Sequence, residues 1–335
     1  LCPEADIRFA GTGRPAEAAL VGPGHWPRVI LSGRGFKGGS ISGKVRSGLS
    51  ALKGFGQALR LIHRFRPHLF YGVGGYVSGP AGLAARLTGR PVVLHEQNSR
   101  PGLSNRLLAR LAREIFVGFP EAASVFPAEK TVVTGNPLRP EITALMDRRY
   151  DYAPGARLAI LIMGGSQGAG RLNLAAMELA AKLAAGGRSF EIIHQTGAGG
   201  SGQIAEFYSR LGIIHETAPF FPDPERLYAR AHLGLMRAGA LTVTELAACG
   251  LPSILVPLPT AADNHQLVNA RTLESCGAAL ILLESELENL FGAVSGLMDS
   301  PRKLLAMAGR GRSLVNPEAD RQMAGRLLEI MGERI

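Results

Sequence analysis

Residues 158–184 hold the first arrangement in this chain whose residue types and spacing could do chemistry. Leu158-Ala-Ile-Leu-Ile-Met163 is an apolar run of strand length, Gly164-Gly-Ser-Gln-Gly-Ala-Gly170 follows at once, and Arg171 to Ala184 reads as an Ala/Leu-rich helix. A buried strand, a glycine turn and a helix in that order form a phosphate-binding device. The glycines let the backbone approach closely, and the helix start offers unpaired N–H groups with a partial positive charge. The competing reading is a tight strand-to-helix turn that binds nothing.

A second arrangement follows the apolar run Leu233–Met236. Arg237-Ala-Gly-Ala-Leu-Thr-Val-Thr-Glu245 leads into a helix expected over Val243 to Cys249, with Gly250 as its stop. Thr242-x-x-Glu245 has the spacing of a capping box, in which Glu245 would bond back to the backbone. The functional alternative is that Ala240, Leu241 and Thr242 present N–H groups to a diphosphate while Glu245, one turn in, accepts from a ribose diol. Gln266 and Asn269 fall three apart on one helix face, and amides suit sugar hydroxyls because each can donate and accept.

Other chemistries fit less well. A dinucleotide site needs a carboxylate at the end of the strand after the glycine loop, and that strand here ends His194-Gln-Thr-Gly197. No Asp-x-Asp pair follows a strand to hold a metal on a diphosphate. Asp223-Pro-Glu225 reads instead as a helix start. No metal or other cofactor is expected. Cys2, Cys249 and Cys276 are odd in number and far apart, which excludes a disulfide framework and a cysteine zinc site and fits a reducing cytoplasm.

These residues need elements to position them. A length of 335 residues suggests two domains, and 46% hydrophobic against 19% charged residues is a globular balance. Strand and helix signals alternate throughout, the pattern of a parallel α/β sheet. Strands are expected at Ile7–Ala10, Val29–Leu31, Leu69–Val73, Pro91–Leu94, Glu114–Val117 and Lys130–Thr134. A second series is expected at Leu158–Met163, Phe190–His194, Ile213–Glu216, Leu233–Met236, Ser253–Val256 and Ala279–Leu282. Residues 27–50 read as a long Gly/Ser-rich loop apart from its strand, and Leu52–Arg64 as a helix with Leu52, Phe55, Leu59 and Ile62 on one face. The Pro-bearing stretch 136–140 is the expected linker.

The net charge of +10 is unevenly placed, since no Asp or Glu lies between Glu17 and Glu96 while eleven Lys and Arg do. Such a one-signed face attracts anionic lipid, nucleic acid or phosphorylated substrate, although an excess of Arg over Lys makes part of it compositional. Lys44, Arg46, Lys53, Arg60 and Arg64 surround Leu49, Leu52, Phe55 and Leu59, an expected membrane-facing patch. The alternative is an amphipathic helix covering its own sheet. No apolar stretch has bilayer-spanning length, and no secretory leader is expected.

Six segments together resemble the MurG family of glycosyltransferases. They are Gly74-Gly-Tyr-Val-Ser-Gly-Pro80, Val92-Val-Leu-His-Glu-Gln-Asn98, Gly135-Asn-Pro-Leu-Arg139, Gly164-Gly-Ser-Gln-Gly-Ala169, Arg237 to Glu245 and Asp263-Asn-His-Gln-Leu-Val-Asn-Ala270. The resemblance implies a GT-B fold, two Rossmann-like doubly wound parallel-sheet domains facing across a cleft. The domains would be 1–138 with 319–335 on the acceptor and membrane side, and 139–318 on the UDP-sugar side. It implies inverting, metal-independent transfer of N-acetylglucosamine from UDP-N-acetylglucosamine to the muramyl 4-hydroxyl of an undecaprenyl-diphosphate-linked muramyl peptide. That is a step of peptidoglycan synthesis at the cytoplasmic face of the inner membrane, at an anionic lipid surface and with no nucleic-acid partner.

By the same resemblance, Glu245 is the ribose contact, Ser166 lies near the diphosphate with Ala240, Leu241 and Thr242, and Arg139 is the donor-site arginine. Phe221 pairs with uracil through its backbone, and Gln266 and Asn98 touch the donor sugar. Gly74, Gly75 and Tyr76 help to hold the acceptor diphosphate. The family begins with a strand and a loop of the type Gly-Gly-Thr-Gly-Gly-His, whose histidine is the favoured base. This sequence opens on the family's second strand, so that element is expected to be missing, with its strand neighbours left unpaired, and no catalytic residue is assigned. His95 matches a family position other than the base. Two readings compete: a UDP-sugar-binding protein without catalysis, and a different GT-B glycolipid synthase.

Overall fold

Among the described residues, three parallel sheets, of six, four and two strands, follow from where the apolar runs fall. The computed structural model describes residues 4–13, 26–33, 41–153, 155–165 and 169–332, with the side chains of 41–45 outside that description. The chain divides into one unit of Leu1–Gly135 with Glu318–Ile335, and a second of Asn136–Pro317.

The second unit is built around Leu158–Met163. Its strands are β7 (Leu158–Met163), β8 (Phe190–Gln195), β9 (Ile214–Ala218), β10 (Leu233–Met236), β11 (Ser253–Leu255) and β12 (Ala279–Ile281). All pair in parallel, in the order β12-β11-β10-β7-β8-β9. The chain therefore winds outward from β7 on one side, returns, and winds outward from β10 on the other. The unbroken apolar run of β7 is what a strand covered on both faces requires. Leu158, Ile160 and Ile162 pack under Leu172, Ala176, Leu179 and Leu183 of the helix Gly170–Ala185, whose spacing keeps them on one face. Each such buried aliphatic side chain stabilises the unit by about 1.5–3 kcal/mol relative to exposure. The unit's other helices span Pro140–Thr143, Ser201–Arg210, Pro224–Arg230, Ala240–Cys249, His265–Ser275, Leu290–Met298 and Pro301–Met307.

The first unit carries β1 (Phe9–Gly11), β2 (Arg28–Ile30), β3 (Phe70–Gly72), β4 (Val92–Glu96), β5 (Glu114–Val117) and β6 (Thr131–Val133). Its helices are α1 (Ile41–Phe65), α2 (Ser78–Leu87), α3 (Leu103–Leu108, extended by a 3-10 turn, Ala109–Leu111) and α4 (Pro120–Ala123). In chain order the second unit's helices are then α5 to α12, and Ala319–Gly332 is α13. Side chains alternate across the sheet. Val92, Leu94, Ile115 and Val117 face α1, α2 and α3, whereas Val93 and Phe116 meet Met323 and Ile330 of α13. A two-pronged ion pair holds α13 there, Arg326 Nε and Nη2 each donating to Glu114 at 2.9 Å.

Helix α1 corrects two expectations. It begins at Ile41, so residues 41–50 are helical rather than loop. Their glycines and serines disfavour an isolated helix, but Ser47 is buried, and a side chain at Gly54 would run into the carbonyl of Ser32. Small residues here permit close packing, and tertiary contact overrides propensity. Ser32 N–H also donates to Gln57 Oε1 at 2.7 Å. Phe55 and Leu59 pack against the core beside buried Ala58 and Ile62, so of the expected surface patch only Leu49 and Leu52 are exposed. Lys44 falls among the side chains outside the description. No helix among the described residues is long and apolar enough to cross a membrane.

The two units differ at one point. In the second, β7 joins β8 and β10 into six continuous strands; in the first, β1-β2 forms one sheet and β3-β4-β5-β6 another. No described residue occupies the place that β7 takes. Among the described residues, β1 pairs only with β2, and β3 only with β4. Hydrogen exchange followed by mass spectrometry should find the amides of 158–163 among the slowest in the molecule, and those of 9–11 and 70–72 faster by about tenfold or more. Equal protection of the three segments would show that β1 and β3 are not sheet edges.

Candidate functional site

The winding of the second unit brings two strand-to-helix turns side by side. β7 and β10 pair with Met163 opposite Met236, and Arg237 N–H donates to Met163 C=O at 3.2 Å. Ligands of doubly wound sheets bind where neighbouring strands send their chains in opposite directions, outside the carboxyl ends. Beyond β7, Gly165 adopts φ +90, a conformation that side chains oppose, and α6 starts at Gly170. Ser166 lies outside the described residues. Beyond β10, Gly239 caps α9, which runs from Ala240 to Cys249 and ends on Gly250 at φ +62.

The expected capping box does not form. The helix starts three residues before Val243, which places Thr242 inside the first turn, and no side chain caps Gly239. The N–H groups of Ala240, Leu241 and Thr242 accordingly have no acceptor one turn back and carry the positive end of the helix dipole. Two amides brace this turn. Asn269 Nδ2 donates to Ala238 C=O at 3.2 Å, and Asn136 Nδ2 to Thr244 Oγ1 at 3.1 Å, the latter hydroxyl donating on to Ala240 C=O at 2.9 Å. Asn269 is thus a buried brace rather than a surface amide.

Glu245 sits one turn into α9. Its Oε2 accepts from the hydroxyl of Tyr228, at 2.9 Å, and Tyr228 is wholly buried on α8. Burial pushes the Glu245 carboxyl above the usual carboxylate range, and the charge of Glu225 adds to this. The Tyr228 hydrogen bond and Arg139 pull the other way. Desolvation, then Glu245, holds the Tyr228 phenol far above its ordinary value, so it remains a donor. Oε1 takes no donor from the described residues. A carboxylate anchored by one oxygen, beside a helix start, can accept a hydroxyl pair while backbone N–H groups hold an anion.

Of the other residues expected on the donor side, Arg139, Phe221 and Gln266 fall in the same unit and Asn98 in the first. Arg139, capping α5, reaches Pro222 C=O with Nη1 at 3.3 Å. The buried Phe221 donates its N–H to Gln195 Oε1 at 3.2 Å. Gln266 Oε1 accepts from Leu258 N–H at 2.9 Å. Arg237 is also buried, giving Nη1 to the carbonyls of Val256 and Pro257 at 3.2 and 3.3 Å and pairing through Nη2 with Glu284. Sequence reasoning did not find Tyr228, Gln195 or Glu284, whose partners lie 17, 26 and 47 residues away. His194, inside β8, is held between Tyr208 and Asn173, and burial lowers it to about 4, so it is a neutral brace.

In the first unit Gly74 and Gly75 have φ +88 and +83, so the turn between β3 and α2 exposes backbone. Ser104 Oγ donates to Gly75 C=O at 2.7 Å, Ser78 Oγ to Gly74 C=O, and Tyr76 is exposed. Asn98 gives its N–H and Nδ2 to Glu96 Oε1, both at 3.1 Å, while Glu96 Oε2 accepts from Gly102 N–H and Asn105 Nδ2, both at 2.9 Å. The buried Glu96 therefore shapes the loop that carries Asn98. His95 is buried and stacks on Tyr71, with ring centres 6.3 Å apart.

The glycosyltransferase family 28 N-terminal domain matches residues 4–117, and the family 28 C-terminal domain residues 159–320. A UDP-N-acetylglucosamine–N-acetylmuramyl-(pentapeptide) pyrophosphoryl-undecaprenol N-acetylglucosamine transferase of Syntrophotalea carbinolica is 40% identical over 322 residues, 95% of this chain and 88% of the relative. The protein of the same name from Pseudomonas paraeruginosa is 40% identical over 327 residues, 97% and 90% of the two chains. The crystal structure of Acinetobacter baumannii MurG superposes with a TM-score of 0.73 at 32% identity, over 97% of this chain and 91% of that one.

The chain belongs to the MurG family.

Its fold is GT-B, which a UDP-GlcNAc 2-epimerase from Neisseria meningitidis shares at 17% identity, with a TM-score of 0.62 over 88% and 83% of the chains. Members of the MurG family are glycosyltransferases, and the turns after β7 and β10 lie in the part matched as the C-terminal domain.

The raised Glu245 carboxyl has a consequence for stability. Its folded pKa exceeds the unfolded one, so the folded state holds the proton more tightly. The group costs stability above its folded pKa, and the cost vanishes as pH falls below the unfolded value. Glu245→Gln keeps an acceptor for Tyr228 without the charge. It should melt at or above the wild-type temperature near about pH 8, the difference closing toward about pH 4. A variant that melts lower at both pH values would make Glu245 a structural brace.

Proposed function

We propose that the chain transfers N-acetylglucosamine, with inversion, from UDP-N-acetylglucosamine to the muramyl 4-hydroxyl of an undecaprenyl-diphosphate-linked muramyl peptide. The observation that carries this is the half-anchored Glu245 beside the adjoining turns after β7 and β10, in a chain of the MurG family. In this reading the uracil meets the backbone at Phe221 and the ribose diol donates to Glu245. The diphosphate lies against the N–H groups of 240–242 and the loop containing Ser166, near Arg139. Gln266 and Asn98 are assigned to the sugar, and Gly74 to Tyr76 to the acceptor diphosphate.

The acceptor oxygen attacks the anomeric carbon from the face opposite the leaving group. The bond to the diphosphate oxygen breaks, and UDP leaves with the bonding pair. Negative charge grows on the diphosphate as this happens, so helix-start N–H groups fixed in place favour the transition state over the ground state. The hydroxyl proton must leave as the new bond forms, and no described side chain is assigned to take it.

Supporting a membrane location, exposed Leu49 and Leu52 stand among exposed Arg46 and Lys53 on α1. We place the enzyme at the anionic cytoplasmic face of the inner membrane, where its lipid acceptor resides.

Glu245→Ala should weaken UDP and UDP-N-acetylglucosamine alike, by roughly tenfold to a hundredfold for loss of hydrogen bonds to a charged acceptor. Isothermal calorimetry checks this; unchanged UDP affinity would remove Glu245 from the site. UDP release that depends on the lipid acceptor separates transfer from mere binding of the sugar nucleotide.

A further inference from the structure

Arg237 is the first residue past β10, and its N–H reaches Met163 C=O, at the end of β7. Its buried guanidinium spans the strand on the other side. Nη1 donates to the carbonyls of Val256 and Pro257, at 3.2 and 3.3 Å, just past β11. Nη2 pairs with Glu284, at the start of a 3-10 helix (Glu284–Asn289) that follows β12. Glu284 thus reaches back past β11 to hold the residue that leaves β10.

Glu284 is the only carboxylate paired with Arg237 among the described residues, and only 11% of its side chain is exposed. Arg237 Nε is buried with no hydrogen-bond partner. A buried guanidinium already short of acceptors has none to spare, and loss of its one counter-charge would drive the side chain toward water. The other Glu284 oxygen lies 3.7 Å from Arg171 Nε, in the first turn of α6. Arg171 is mostly exposed, so that second pair contributes little, and the contact that matters is the one to Arg237.

The residues that follow give this contact its use. Ala238 and Gly239 lead straight into α9, whose first N–H groups, those of 240–242, are assigned above to the diphosphate. Asn269 holds Ala238 by its carbonyl, but that bond does not fix where the turn begins. Donors aimed at a ligand must be held to within about 0.5 Å by the groups behind them.

We propose that Glu284 is a positioning residue for the donor diphosphate: through Arg237 it fixes the path of 237–239, and so the aim of the N–H groups of 240–242. It rests on the donor-site reading above and adds to it a residue that acts through Arg237 rather than by touching substrate.

Calorimetry of the full chain with UDP and with uridine tests this, because uridine keeps the base and ribose but lacks the diphosphate. Glu284→Ala should weaken UDP by about tenfold and uridine by less than about twofold. Glu284→Gln keeps an oxygen acceptor for Arg237 and should hold UDP within about threefold of the wild type. Leu304→Ala, which truncates a wholly buried core side chain on α12, controls for lost stability; it should melt lower with both affinities unchanged. Should Glu284→Ala fail to fold, Glu284→Asp, one methylene short of Arg237, makes the same comparison.

Unchanged UDP affinity in Glu284→Ala, or in Glu284→Asp where that replaces it, would overturn the positioning role. Equal losses of UDP and uridine would overturn it too, and make Glu284 a brace of the whole unit. A loss in Glu284→Gln as large as in Glu284→Ala would overturn the route through the Arg237 hydrogen bond. No UDP binding by the wild type would overturn the donor-site reading itself.

Discussion

The parallel pairing of β7 with β10 is the constraint on which the candidate site depends. These strands are far apart in sequence, and their adjacency puts two helix starts at one edge of the sheet. One helix start is a weak anion site; two at a strand crossover add their unpaired N–H groups and dipoles in one place. The supporting side chains serve this geometry. Asn269, Asn136 and Thr244 fix the second turn, and the buried Arg237 ties the loop after β10 to the end of β11 through carbonyls. Tyr228 then aims a carboxylate that would otherwise rotate freely.

Much of this was legible in the sequence, and the exceptions have physical causes. The ranges 114–117, 158–163 and 233–236 match their expected bounds, because buried parallel strands are apolar runs cut off sharply by glycine, proline or charge. The two strand-turn-helix arrangements after β7 and β10 were legible for the same reason, since glycine turns and helix starts are local. The start of α9 was misjudged because Thr242-x-x-Glu245 has capping-box spacing wherever it sits in a helix, and spacing alone does not show which residue is the first turn. Tyr228 was invisible because nothing near it in sequence signals a partner on another helix. On α1, periodicity gave one apolar face, of which Phe55, Leu59 and Ile62 turned inward to cover a sheet while Leu52 stayed exposed.

The two units are nearly the same winding, and the difference between them is informative. In the second, a fully buried strand stands at the middle of the sheet and supplies the first glycine turn. In the first, the described strands leave that middle position unfilled, so exposed Phe9 and Val73 flank edges whose counterparts elsewhere in the molecule are paired. The glycine turn at 74–75 instead follows β3, an outer strand of its own sheet. Its rigidity comes from Ser104, Ser78 and the Glu96 network rather than from strands on both sides.

The clasp between Arg326 and Glu114 carries a consequence for synthesis. The residues it joins are 212 apart, and the whole second unit is threaded between them. A ribosome makes the chain from its amino end, so residues 136–317 emerge and can fold as a self-contained body while Val93 and Phe116 still face water. Only when α13 leaves the exit tunnel is that apolar face covered. The first unit is therefore finished after the second, and its apolar face stays uncovered for the time taken to translate the intervening residues, roughly ten to forty seconds at bacterial elongation rates.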